Sequence, residues 1–187
     1  MKKVIIVNGI PASGKSTVAT KIAKYFGWPY LSIDTIKEPF MGLHGSIDRE
    51  FNRELGKAAY KAIWDTVANA PDDCVYVIDA WFGFQSKELL ESYVKHSDVV
   101  DITEVWNSIS PELVSARYRS RLSIRREGHP GEEYIPELMA LAERASPMNI
   151  GTVYCVDQDT GGEVHEVLAA LSGQPKDPSL VELSMAK

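Results

Sequence analysis

A parallel α/β sheet sandwiched between helices is the fold class this sequence predicts, and three observations predict it. Short, largely apolar runs rich in Val, Ile and Tyr recur at 4–7, 30–33, 74–78, 99–105 and 152–156, the first of them unbroken, the pattern of strands buried on both faces. Helical patterns fill the intervals, and strand–helix–strand repetition is what a parallel sheet with crossover helices requires. The chain has 187 residues, 44% of them hydrophobic and 25% charged, which suits one ordinary globular domain; the reading places it at 1–172.

The elements follow in order. The first run ends at Asn8-Gly9 and leads into a helix over 15–26. Between 47 and 67, Ile47, Phe51, Leu55, Ala59, Ile63 and Val67 repeat every four residues, an apolar stripe expected to pack on the sheet. A helix over 86–94 follows the third run. Ser110-Pro111 then has the chemistry of an N-cap followed by a first helical position, opening a helix that runs into an arginine-rich segment. Further helices are expected over 132–145 and 163–171. The tail from 173, with Pro175 and Pro178, is expected to be poorly ordered.

Composition excludes several classes. A net charge of −6 disfavours nonspecific binding to nucleic acid or an anionic membrane. The N-terminal apolar run is too short for a signal-peptide core, and no stretch approaches the ~20 apolar residues of a membrane span, so a cytoplasmic protein is expected. Cys74 and Cys155 lack metal-knuckle or redox-pair spacing and read as small hydrophobes within core strands.

The strongest signal is Gly9-Ile10-Pro11-Ala12-Ser13-Gly14-Lys15-Ser16-Thr17, a match to G-x-x-x-x-G-K-[ST] between a strand and a helix. Glycines let successive amides turn inward around a phosphate chain, and the head of the next helix adds positive field. Lys15 is expected to reach the β- and γ-phosphates, Ser16 to hold Mg²⁺ and Thr17 to contact the α-phosphate. The motif predicts nucleoside triphosphate binding and leaves the reaction open.

Ligands of an open α/β sheet bind beyond the carboxyl ends of its strands, and Asp34 and Asp79 follow two of the runs. Phosphoryl transfer needs a group that takes the proton of the attacking hydroxyl and an acid on the metal side. Asp34 is the candidate base and Asp79 the candidate metal-side acid, with an exchange of roles, or a helix cap or turn for either, left open. Trp81, Phe82 and Phe84 sit at the same edge and could wall an acceptor pocket or fill core. The apolar, glycine-punctuated segment 39–45 reads as a flap over the acceptor, with His44 a solvated loop residue.

Arg117, Arg119, Arg121, Arg125 and Arg126 fall within ten residues. Four-residue spacing would put Arg117, Arg121 and Arg125 on one helical face, and guanidinium groups reaching the γ-phosphate would neutralise developing charge as the segment closes. Residues 128–131, Gly-His-Pro-Gly, are expected to end that helix in a hinge-like turn.

Together these residues resemble the P-loop kinases of the adenylate and shikimate kinase type, and the segments 33–39 and 77–82 are similar to chloramphenicol phosphotransferase-like small-molecule kinases. The resemblance implies a three-layer P-loop NTPase fold with a five-stranded parallel sheet, an arginine-rich lid at about 117–133, ATP and Mg²⁺ as cosubstrate and metal, and transfer to a hydroxyl of a small molecule with Asp34 as base. It further implies Arg117 near adenine, Arg121 near phosphate, and 157–160 against the adenine. The sequence carries neither the glycine-rich acceptor motif of shikimate kinase nor an Asn/Thr-Lys-x-Asp guanine-reading motif, which points away from shikimate and from a GTPase. Two other functions remain on this reading: a polynucleotide 5′-hydroxyl kinase using the basic helix, and a nucleotide-binding regulatory protein with little transfer activity.

Overall fold

The computed structural model describes residues 1–44, 47–125 and 128–173, so Gly45, Arg126 and the tail from 174 lie outside the described residues. Five strands, β1 (Lys2–Asn8), β2 (Tyr30–Ser32), β3 (Val75–Ala80), β4 (Val99–Ser108) and β5 (Thr152–Asp157), form one sheet in the order β2-β3-β1-β4-β5. Every pairing is parallel. Their carboxyl ends therefore share one edge, where Asn8 stands between Ala80 and Trp106 and Ser32 stands opposite Asp79.

Two apolar layers cover the sheet. On one face Ile5, Val7, Val77, Val105 and Val156 pack against α1 (Lys15–Phe26) and α7 (His165–Leu171). On the other, Val4, Ile6, Tyr76 and Ile78 meet α3 (Arg49–Ala68) and α4 (Lys87–His96). The alternation along β1 is the period-two geometry of a strand buried on both sides, and each such Val or Ile contributes roughly 1.5–3 kcal/mol by leaving water. A third cluster, formed by Ile10, Ile109, Val114, Tyr118, Ile135 and Leu138, packs α5 (Pro111–Arg121) against α6 (Ile135–Arg144) beyond the sheet edge. No described helix is long and apolar enough to cross a membrane.

Side-chain caps start three helices: Asp48 accepts from the Phe51 amide, Ser86 from Leu89 and Ser110 from Leu113. Asp159 accepts from both the amide and the hydroxyl of Ser110, so the turn after β5 anchors the start of α5.

Several expectations are corrected. Residues 39–41 of the expected flap are the last residues of a helix, α2 (Ile33–Met41), with Pro39 inside it; proline removes one helical bond, and the helix stops two residues later. The stripe of α3 packs on the sheet through Ala59, Tyr60, Ile63, Trp64 and Val67, whereas Phe51 and Leu55 are half-buried because the first turns project past the sheet edge. Cys155 is exposed and Cys74 half-buried, since β5 is an edge strand and Cys74 precedes β3. Helix α5 ends at Arg121 and gives way to a 3₁₀ turn over Leu122–Ile124 and an extended Arg125, so Arg125 does not share a helical face with Arg117 and Arg121.

A buried carboxylate crosses the core. Glu104 is 0% exposed; it accepts from the Asn8 side-chain amide at 2.8 Å and from the Met148 and Asn149 main-chain amides at 2.9 Å each. Glu104→Gln turns one acceptor into a donor facing a donor, which is expected to cost about 1–3 kcal/mol. Urea denaturation should show a lowered midpoint at unchanged slope; an unmoved midpoint contradicts a structural role for the charge.

Candidate active site

The loop between β1 and α1 is held from behind by side chains. Asn8 accepts the Gly9 amide at 2.8 Å and the Phe82 amide at 3.0 Å through Oδ1, joining the loop to the end of β3. Asn107 donates to the Asn8 carbonyl at 3.0 Å, Gln158 donates to Asn107 at 3.0 Å, and Arg117 donates to Gln158 at 2.9 Å and to the Ser13 carbonyl at 3.2 Å. Gly14 has φ +91°, and a Cβ there would lie 2.5 Å from Gln158 Oε1 and 2.9 Å from Arg117 Nη1; the motif glycine is required by its conformation and by its neighbours. Ala12 holds φ +65° without being glycine, a strained geometry of the kind kept at ligand sites. The amides of Lys15 and Ser16 at the head of α1 lack intrahelical acceptors, and both residues line the cleft.

That cleft has a volume of about 1050 Å³. Pro11, Ala12, Lys15 and Ser16 form its floor, Asp34 and Asp79 stand beside them, and Arg121 and Arg125 come from the lid side. Gly9, Ser13, Gly14, Thr17 and Arg117 do not line it: Ser13 is buried behind the loop, Thr17 is exposed on α1, and Arg117 braces the loop. Gln158 and Asp159 likewise face protein partners, Asn107 and Ser110. Of the aromatics after β3, Trp81 and Phe84 line the cleft, while Phe82 is fully buried in the core. His44 is an exposed loop residue, its ring edge-on to Phe51.

The two acids differ in environment. Asp34 lies in the first turn of α2, two residues past the cap position Ser32, where a carboxylate suits the helix dipole. Its side chain is 57% exposed and pairs with Lys37 at 3.0 Å. Burial pushes its carboxyl up, but the charges of Lys37 and Lys15 outweigh that and hold it below the usual carboxylate range. Asp79 is 3% exposed at the end of β3; Oδ2 accepts from the Tyr30 hydroxyl at 2.7 Å, and Oδ1 is buried with no partner among the described residues. An orphaned buried carboxylate oxygen and a serine lining the same cleft fit a divalent cation, so Ser16 and Asp79 are the residues that would hold one.

Sequence reasoning missed much of the acceptor end. Lys37 and Glu38 of α2, Asn52 and Arg53 of α3, and His129, Tyr118 and Tyr134 of the lid also line the cleft. The lid is docked: Asn52 donates to the Gly128 carbonyl, Tyr118 donates to the Pro130 carbonyl at 2.6 Å, and Arg125 lies 4.6 Å over the Tyr118 ring. The side chain of His129 is 6% exposed and bridges Glu38 at 3.2 Å and Arg125 at 3.3 Å. Four-residue spacing of Arg49, Arg53 and Lys57 beside the apolar stripe was a signal available in the sequence; α2 hid behind Pro39.

No protein-family model matches the chain, and the search of curated proteins finds no match. Solved structures do match. A protein from Chloroflexus aurantiacus J-10-fl named "putative kinase" aligns at a TM-score of 0.80 and 20% identity, over 94% of this chain and 99% of that one. Shikimate kinase from Acinetobacter baumannii, in complex with shikimate, aligns at 0.59 and 15%, over 94% and 95%. Shikimate kinase from Aquifex aeolicus aligns at 0.52 and 18%, over 92% and 97%. The chain is therefore built on the P-loop kinase fold of the shikimate kinase type: a five-stranded parallel sheet between helices.

Proposed function

We propose that the protein is an ATP- and Mg²⁺-dependent kinase that transfers the γ-phosphoryl group to a hydroxyl of a small molecule. The observation that carries the reading is convergence: the phosphate loop, two strand-end acids and two lid arginines line one cleft at the carboxyl edge of the sheet. Asp34, ionised and open to the cleft, accepts the proton of the acceptor hydroxyl. The hydroxyl oxygen then bonds to the γ-phosphorus as the bond from that phosphorus to the β–γ bridging oxygen breaks, leaving ADP. Lys15 and the loop amides hold the phosphates, and Arg121 and Arg125 offset charge on the transferred group; positioning and electrostatics supply the rate. Magnesium, when bound through Ser16 and Asp79, would shield the phosphate charge.

Trp81, Phe84 and Tyr134 give the acceptor end aromatic surface beside its polar groups, which favours a compact, partly apolar acceptor. A polynucleotide backbone is disfavoured because cations of the basic helix are engaged within the protein: Arg117 donates to the Ser13 carbonyl and Gln158, and Arg119 pairs with Glu132 at 3.2 Å.

His129 closes the lid in its neutral form. A ring protonated at Nε2 donates to Glu38 and accepts from Arg125 at Nδ1, satisfying both contacts. Burial, Lys37 and Arg125 push its pKa below 6.5, against the pull of Asp34 and Glu38. Protonation would set a second N–H against Arg125.

Three outcomes test this account. With Mg²⁺ and a panel of hydroxyl-bearing acceptors, Asp34→Asn should lower turnover by ~10²- to 10⁴-fold while calorimetry shows ATP affinity retained; turnover that survives removes Asp34 as base. Lys15→Ala should lose turnover and ATP affinity together, and unchanged affinity defeats the loop assignment. Because the folded-state pKa of His129 is depressed, the unfolded chain binds its proton first, so its contribution is complete above about pH 6.5 and lost as pH falls from there toward the folded value. Thermal midpoints compared across that window should converge for wild type and His129→Gln at the acid end; a constant difference contradicts the neutral bridge.

A further inference from the structure

The mechanism leaves Tyr30 unused, yet its hydroxyl makes the one hydrogen bond described for the Asp79 carboxylate. Tyr30 opens β2, in register with Val77 of β3, while Asp79 stands two residues further on opposite Ser32. The ring packs with the core beneath α1 and the side chain reaches diagonally along the sheet, so its hydroxyl meets Asp79 Oδ2 at 2.7 Å. Tyr30 does not line the cleft, whereas Asp79 and Ser16 do. The two oxygens of Asp79 are thus unequal: one is bound from inside the protein, and the other is buried without a partner among the described residues.

We propose that Tyr30 is a positioning residue for Asp79, occupying Oδ2 so that Oδ1 is the oxygen offered to the divalent cation of the nucleotide complex. The inference rests on the reading of Asp79 as the metal-side acid. A charge-assisted O–H···O⁻ bond is short and directional, and here it fixes the rotation of a carboxylate that a strand end alone leaves free to turn. Partners of this kind that orient a metal ligand typically contribute 10- to 100-fold in metal affinity.

The test is a Mn²⁺ titration, read by electron paramagnetic resonance, of the full chain with a non-hydrolysable ATP analogue, beside a calorimetric titration of the analogue without metal. Tyr30→Phe keeps the packed ring and removes the hydroxyl. The expected result is Mn²⁺ affinity weaker by about 10- to 100-fold, with metal-free nucleotide affinity close to wild type; a general structural defect would lower both. Asp79→Asn separates the two levels of the argument. Weakened Mn²⁺ binding in Asp79→Asn with wild-type binding in Tyr30→Phe overturns the role of Tyr30 alone. Wild-type binding in both overturns the metal-side reading of Asp79 and the proposal with it.

Discussion

A loop that wraps phosphate with main-chain amides cannot also satisfy those amides itself, so something else has to hold its shape. In this protein the holder is a chain of side-chain hydrogen bonds running through Glu104, Asn8, Asn107, Gln158 and Arg117 to the Ser13 carbonyl. Its root is a fully buried carboxylate whose charge is met by three donors. Breaking such a site is costly because the orphaned group remains buried, and that cost keeps the loop in one conformation before any ligand arrives. Gly14 belongs to the same constraint: the bracing groups of Gln158 and Arg117 stand where a Cβ would sit.

The rest of the cleft is arranged around that fixed floor. Parallel pairing brings all five strand ends to one edge and sets Asp79 opposite Ser32, with Asp34 two residues later in the first turn of α2. One wall of the cleft depends on the length of α3, whose last turns pack on the sheet while its first turns run past the edge and present Arg49, Asn52 and Arg53. The lid meets those turns through Gly128 and meets α2 through His129. One histidine therefore links Arg125 of the lid to Glu38 of α2, the helix that also carries Asp34.

What was legible in the sequence follows from the range of each interaction. Strands buried on both faces announce themselves as apolar runs, and the loop motif encodes its own geometry, so β1, α1 and the placement of Asp34 and Asp79 beside the phosphate loop could be read directly. Helix α2 was masked because Pro39 and Gly42 carry local signals that the surrounding packing overrides. The exposure of Cys155 depends on β5 being the edge strand, a property of strand order that no local pattern records. Arg125 left the helical row because α5 stops at Arg121. Tyr30 and Glu104 act across 49 and 96 residues of sequence, which makes their roles visible only once the sheet is assembled.

A cleft that moves a phosphoryl group from ATP to a small-molecule hydroxyl, as proposed for this protein, leaves a phosphate ester that can be isolated. The most direct measurement is to incubate the protein with Mg²⁺ and γ-³²P-labelled ATP in a small-molecule extract and separate the labelled products. The account predicts label in an organic phosphate ester that survives mild acid, absent when Asp34 is replaced by Asn. Label confined to unreacted ATP and inorganic phosphate, the same in both proteins, would contradict it.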